Sequence, residues 1–207
     1  MKTIVFATGN KDKVVEIREI LGDLDVDLKT MKEVGFTEEI EENGTTFREN
    51  AAIKAEAVAA YLRKSVPEYA DAIVMADDSG LEIDAMGKMP GVMSHRWLGD
   101  RTYPQAMQDI IEELKDVPEE KRSARFVCSI AACVPGRETL TVQETIEGRV
   151  AHEIRGTEGF GYDPFFYVPE YGCTTAEMSR EQKNAISHRG KGIRAMRDLL
   201  IAEGVLG

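Results

Sequence analysis

Cysteine is scarce: the 207 residues include three. Cys128 and Cys133 lie an odd number of positions apart on an apolar run that reads as a strand. Their side chains therefore point to opposite faces and cannot readily bridge. An odd, sparse count fits a reducing cytosol, and a cytoplasmic location is expected. Histidine is equally rare, at three, and no Cys/His spacing matches a zinc site. Long apolar runs are missing. Ile4-Val5-Phe6-Ala7 is too short for a signal peptide, and nothing later has the length to cross a bilayer. Basic excess is missing too, since 37 acidic against 26 basic residues give a formal net charge of -11. Such a chain repels nucleic acid and anionic membranes at long range, so neither is an expected partner. A polyanionic small substrate would need a local basic pocket. No internal repeat or low-complexity linker is present, and no Walker or Rossmann glycine spacing. The length suits one large domain or two small lobes.

What is present is organised around Ala76-Asp77-Asp78-Ser79-Gly80-Leu81. The preceding Ala72-Ile73-Val74-Met75-Ala76 reads as a buried strand, which should end at the Asp pair, with Gly80 allowing a sharp turn. Adjacent strand residues face opposite ways. One carboxylate can then face a cleft while the other anchors the loop. Carboxylates near phosphate are unfavourable without a hard cation between them, which points to Mg²⁺. A polar turn with both Asp residues bonded to backbone explains the same residues.

Upstream, Thr3 to Ala7 reads as a strand, Thr8-Gly9-Asn10-Lys11-Asp12-Lys13 as a tight turn, and Val14, Ile17, Ile20 and Leu21 as the stripe of a helix stopped by Gly22. Lysines at a helix start oppose the dipole unless an anion binds there; solvated lysines on an ordinary turn are the alternative. Val26 to Met31 reads as a strand. Glu38 to Glu42 is an acidic run, of which Glu41 and Glu42 lie nearest a helix start marked by the capping box Thr46-Phe47-Arg48-Glu49. That helix should reach about Lys64. Asn50 and Lys54 share a face of it and look into a cleft or, for Lys54, snorkel to solvent. Leu81 to Ala85 alternates like a further strand, Trp97 reads as core, and Pro104 opens a helix. Phe126 to Val134 and Leu140 to Ile146 form a long hairpin around Pro135-Gly136, shared between lobes or lying on a dimer surface. Gly159-Phe160-Gly161-Tyr162-Asp163 places glycines beside rings able to stack on a base, with Asp163 an acceptor for base or ribose. Lys183, His188 and Arg189 form a basic group ahead of a C-terminal helix.

Five blocks occur in order: Thr8-Gly9-Asn10-x-x-Lys13; Glu41-Glu42-x-Gly44-x-Thr46-Phe47-x-Glu49-Asn50-Ala51-x-x-Lys54-Ala55; Ala76 to Leu81; Gly159 to Pro164; and Lys183-Asn184-x-x-Ser187-His188-Arg189. Together they resemble the inosine triphosphate pyrophosphatase family, over nearly the whole chain. The resemblance implies a single α/β domain over residues 1–207. Its elongated mixed sheet and helices would form two lobes around a central nucleotide-binding cleft. It also implies a homodimer, Mg²⁺ dependence, and hydrolysis of ITP, dITP and XTP to monophosphate and pyrophosphate. Carried over by motif, Thr8, Gly9, Asn10, Lys11, Asp12 and Lys13 cradle the triphosphate. Asp78, with Lys54, Glu42 and Asp77, is catalytic, and Glu41 and Asp78 hold the metal. Ser79, Phe160, Gly161, Tyr162, Asp163, Lys183, His188 and Arg189 contact the nucleotide. Asn43, His95 and Gln182 depart from the family pattern without removing a charged site residue.

Two other classes compete. An aspartyl-phosphate phosphatase would carry its acids two positions apart near the N-terminus, whereas this pair is adjacent and mid-chain. A nucleotide sensor would not need several acids around phosphate.

Overall fold

The computed structural model describes every residue except Met1, Asn10 and Asp23, and leaves out the side chains of Lys11, Asp12 and Glu16. The expectations for Asn10, Lys11 and Asp12 as phosphate ligands thus lie outside the described residues. The chain divides into two compact units. The first comprises residues 1–78, 128–144 and 189–207, the second residues 79–127 and 145–188. Strands run in the order β2-β1-β3-β5-β6-β7-β8, with β4 paired to β3. They are β1 (Lys2–Phe6), β2 (Val26–Thr30), β3 (Ile73–Ile83), β4 (Met89–Pro90), β5 (Ser123–Cys133), β6 (Leu140–Val150), β7 (Phe166–Val168) and β8 (Cys173–Thr174). β1 runs parallel to β2 and β3, while β6, β7 and β8 are antiparallel, so the fold is mixed α/β.

In the first unit the central strands β1, β3 and β5 are buried on both faces, as strands covered by helices on each side must be. Ile4, Phe6, Ile73, Met75, Cys128 and Ile130 pack against Ile17 and Leu21 of helix α1 (Lys11–Leu21) and Ile193, Met196 and Leu200 of helix α5 (His188–Ala202). Val5, Val74, Ala76, Ala131 and Cys133 pack on the other face against Ala51, Ala55, Val58 and Leu62 of helix α2 (Phe47–Ser65). The alternation along β1, β3 and β5 is the two-residue period of a strand. It also places Cys128 and Cys133 on opposite faces, both buried and both free thiols. The expected capping box closes α2, with the Thr46 hydroxyl accepting from Glu49 N and the Glu49 carboxylate from the cap N–H.

The second unit packs Leu81, Ile83, Phe126, Phe165 and Phe166 against Met107 and Ile110 of helix α3 (Tyr103–Glu113). Trp97 packs at the edge of this core. Arg122 is fully buried there and donates to the carbonyls of Leu114, Val150 and Ala151, which replace the water its guanidinium has lost.

Two expectations about elements are corrected. β3 does not end at the Asp pair: it runs through Gly80 to Ile83, absorbing the separate strand expected from Leu81. The buried Leu81 and Ile83 continue the apolar alternation and hold the strand on course. The stretch expected to precede the C-terminal helix is itself helical, and His188 and Arg189 lie within that last helix. Helix α4 (Arg180–Ile186) begins at a Ser179 cap whose box is closed by Gln182, and α5 starts at His188. Glutamine serves as well as glutamate in that box, which gives the departure at Gln182 a structural role. Among the described residues no helix is long and apolar enough to cross a membrane.

Candidate active site

The strand period decides the site of the first unit. Asp77 follows Met75 onto the face covered by α1 and α5, and Asp78 follows Ala76 onto the face covered by α2. Asp77 is 1% exposed. Its two oxygens accept from Lys13 Nζ at 2.9 and 2.7 Å, and Arg189 Nε approaches Oδ2 at 3.4 Å. Burial by itself would raise the pKa of Asp77, but Lys13, Arg189 and Lys54 outweigh it and hold the carboxyl well below the usual carboxylate range.

Asp78 behaves in the opposite way. Burial raises its pKa and Glu42 adds to the rise, while Lys54 and the Asn50 amide oppose it, and the net shift is upward. Lys54 Nζ sits 3.0 Å from Glu42 Oε2 and 3.7 Å from Asp78 Oδ1. Burial pulls its pKa down, but Asp77, Asp78 and Glu42 prevail, so the ammonium stays charged. Two neighbouring carboxyls with pKa values pushed apart are a mark of acid–base sites. Thr8 is buried, Gly9 and Glu41 are exposed, and Ser79 is half-buried.

The second unit carries a separate cluster. Asp163 is buried and accepts from Lys183 Nζ at 2.5 Å, Phe160 N at 2.8 Å and the Thr175 hydroxyl at 2.8 Å. The oxygens expected to accept from a base or ribose are thus engaged by groups of the chain itself. Gly159 makes the arrangement possible: its φ is +77°, and a Cβ there would collide with Asp163 Oδ2 and lie 2.8 Å from Lys183 Nζ. Gly161 also takes a positive φ, at 65°. Lys183 Nζ lies 4.9 Å from the centroid of the Phe160 ring, which is 46% exposed. Tyr162, expected to contact the nucleotide, has its ring packed inside the unit. It is 4% exposed, edge-on to Tyr103, stacked on Phe165, and its hydroxyl donates to the Ser94 carbonyl at 2.9 Å. His188 stacks on Phe126.

Ser94 carries no functional expectation from the sequence. It is buried, its Oγ accepts from Leu81 N at 2.8 Å and donates to Gly91 O at 2.6 Å, and its carbonyl receives Tyr162. It thus joins the end of β3 to the loop carrying Phe160. A lone serine in a glycine-rich loop gives no sequence signal of that role. Thr175, which holds Asp163, is equally silent.

The family model described as Ham1 family matches residues 4–199. A Bacillus subtilis (strain 168) protein named dITP/XTP pyrophosphatase is 47% identical over 203 residues, 98% of each chain. A Clostridium perfringens protein of the same name is 41% identical over the full length of both. Among solved structures, a HAM1 protein from Coxiella burnetii superposes with TM-score 0.86 at 38% identity, covering 98% of this chain and 100% of the other. The Staphylococcus aureus Ham1 protein does so with TM-score 0.86 at 36% identity and the same coverage. The family match and the shared fold both extend along nearly the whole chain, and this protein belongs to the Ham1 family.

Proposed function

We propose that this protein is a nucleoside triphosphate pyrophosphohydrolase. It would cleave ITP, dITP and XTP between the α and β phosphates and so remove non-standard purines from the nucleotide pool. The observation that carries the reading is the opposed pair Asp77 and Asp78 beside Lys54, in a chain whose relatives bear the name dITP/XTP pyrophosphatase. Thr8, Lys13 and Lys54 are assigned to the phosphates, and Phe160 and Lys183 to the base, on the chemistry of each cluster.

Asp78 is the stronger base of the two carboxylates, because its burial raises its pKa while Asp77 is locked to two cations. It takes the proton of an attacking water. Lys54, kept charged by Glu42 and Asp78, faces the charge that develops on the phosphate. Among the described residues no three His, Cys, Asp or Glu side chains are grouped to hold a metal. Asp78 and Glu42 nevertheless fit Mg²⁺, which is commonly bound through one or two carboxylates with substrate phosphates completing its shell; Glu41, the ligand expected from the motifs, is the sequence neighbour of Glu42. Bound Mg²⁺ would supply Lewis-acid charge and acidify a water.

For the base, Phe160 is the exposed ring suited to stacking. Lys183 carries three protons, more than Asp163 Oδ2 uses. Its ammonium can donate to the 6-keto oxygen of hypoxanthine or xanthine, where adenine presents a donor instead. A site that leaves polar groups unpaired rejects a ligand by factors of roughly 10⁴. The 2-amino group of guanine must be excluded by pocket closure. The free thiols fit a reducing cytoplasm, and the homodimer implied by the motifs is tested by sedimentation velocity.

Phosphorus NMR of a reaction with ITP and Mg²⁺ should show IMP and pyrophosphate as the first products. IDP with orthophosphate would refute the cleavage site. In competition at equal concentrations ITP should be consumed well ahead of ATP and GTP; comparable kcat/KM for ITP and GTP would refute the selective pocket alone.

A further inference from the structure

The Asn50 side chain has no role in the chemistry described so far, yet it is 1% exposed in the middle of the first unit's polar cluster. One half of its amide is engaged. Oδ1 accepts from Gly44 N at 2.8 Å, across the segment that follows Glu41 and Glu42. The approach is so close that a Cβ on Gly44 would lie 2.6 Å from Oδ1. The other half, Nδ2, is buried and makes no hydrogen bond of full geometry. A buried donor left in that state costs about 1–3 kcal/mol, so a protein that keeps one has a use for it. Asn50 stands one helical turn before Lys54, whose ammonium lies between Glu42 and Asp78.

We propose that Asn50 is a positioning residue that ties the acidic segment to Asp78: Oδ1 fixes the backbone behind Glu42, and Nδ2 is the donor that orients the Asp78 carboxylate. Asp78 continues β3 on the face that α2 covers, and Asn50 is buried on that helix. The inference rests on Asp78 being the reacting acid of the proposed hydrolysis.

Two variants separate the halves of the amide. Asn50→Ala removes both, whereas Asn50→Asp keeps an acceptor for Gly44 N–H and removes the donor. Both should lower kcat for ITP by roughly 10- to 100-fold, with KM within about threefold and native circular dichroism. In the nucleotide-free protein, the Asn50 side-chain amide resonance, assigned by its loss in Asn50→Ala, should move on Asp78→Asn while the Gly44 amide stays in place. Wild-type kcat in Asn50→Asp, or an Asn50 resonance indifferent to Asp78→Asn, would leave Asn50 a loop anchor only and overturn the proposal. If Asn50→Ala fails to fold, Asn50→Asp and the resonance still decide. An active Asp78→Asn enzyme would instead refute the assignment of Asp78, an outcome distinct from failure of the Asn50 role.

Discussion

Adjacent carboxylates on one strand, Asp77 and Asp78, meet different fates because each face of the sheet is covered by different helices. Asp77 is locked to Lys13 and Arg189; removing its charge leaves two cations without their buried partner. Asp77→Asn should therefore destabilise the protein by about 3–5 kcal/mol, read from urea unfolding at pH 7. Asp78 has its pKa raised by burial, so its ionised form opposes folding at neutral pH. Asp78→Asn should then melt at or above the wild-type temperature while losing most turnover. Equal loss of stability in the two variants would refute this division of labour. That the two side chains part company was legible in the sequence, since the strand period requires it. Their partners were not: Lys13 stands 64 positions from Asp77 and Arg189 stands 112 away, and no local pattern announces such a pairing.

At the scale of elements, local signals served wherever the chemistry of a terminus is local. The Thr46/Glu49 box started α2 where the sequence placed it. Thr46→Ala should cost about 1 kcal/mol, measured by chemical unfolding, and should leave kcat nearly unchanged; a drop in kcat without a drop in stability would show that the α2 start serves the chemistry directly. Local signals failed where packing decided. Glycine after two aspartates reads as a turn, yet the buried Leu81 and Ile83 keep β3 extended through it. The stretch around Lys183 reads only as a basic group ahead of the C-terminal helix, yet Ser179 and Gln182 cap a helix there. Tyr162 shows the same limit for a single ring: its motif suggests a base-stacking surface, and only the packing of Tyr103, Phe165 and Ser94 around it shows that Phe160 is the exposed ring.

For the whole molecule, the net charge of -11 called for a local basic pocket. The cations are present, but each is matched: Lys13 and Arg189 with Asp77, Lys54 with Glu42 and Asp78, Lys183 with Asp163. Buried charge is costly without a counter-charge, so each cluster is balanced rather than basic. Surface charge is paired too. Arg125 grips both oxygens of Asp84 at 2.8 and 2.9 Å, and with Ser123 holds that carboxyl at about 2. A depressed folded pKa stabilises above the unfolded value, about 3.9, and the gain is lost as pH falls toward the folded value. The stability difference between wild type and Asp84→Asn should therefore be constant above about pH 5 and shrink below pH 4. Asp84 is partly exposed, so the difference should stay under about 1 kcal/mol. Urea unfolding at a series of pH values measures it; a difference that grows on acidification would refute the pairing.

The sequence by itself determined the α/β class, the Thr46 cap of α2, the opposite faces of Asp77 and Asp78, and the resemblance to a nucleotide pyrophosphatase family. These follow from short-range rules: strand and helix periods, and side chains that bond their own backbone. Only the tertiary structure decided which carboxylate is locked and which is raised, that Asn50 holds the Gly44 backbone, and that Ser94 joins β3 to the Phe160 loop. Those outcomes depend on burial and on contacts between residues far apart in the chain, where field strength and dehydration are set by what the fold brings near.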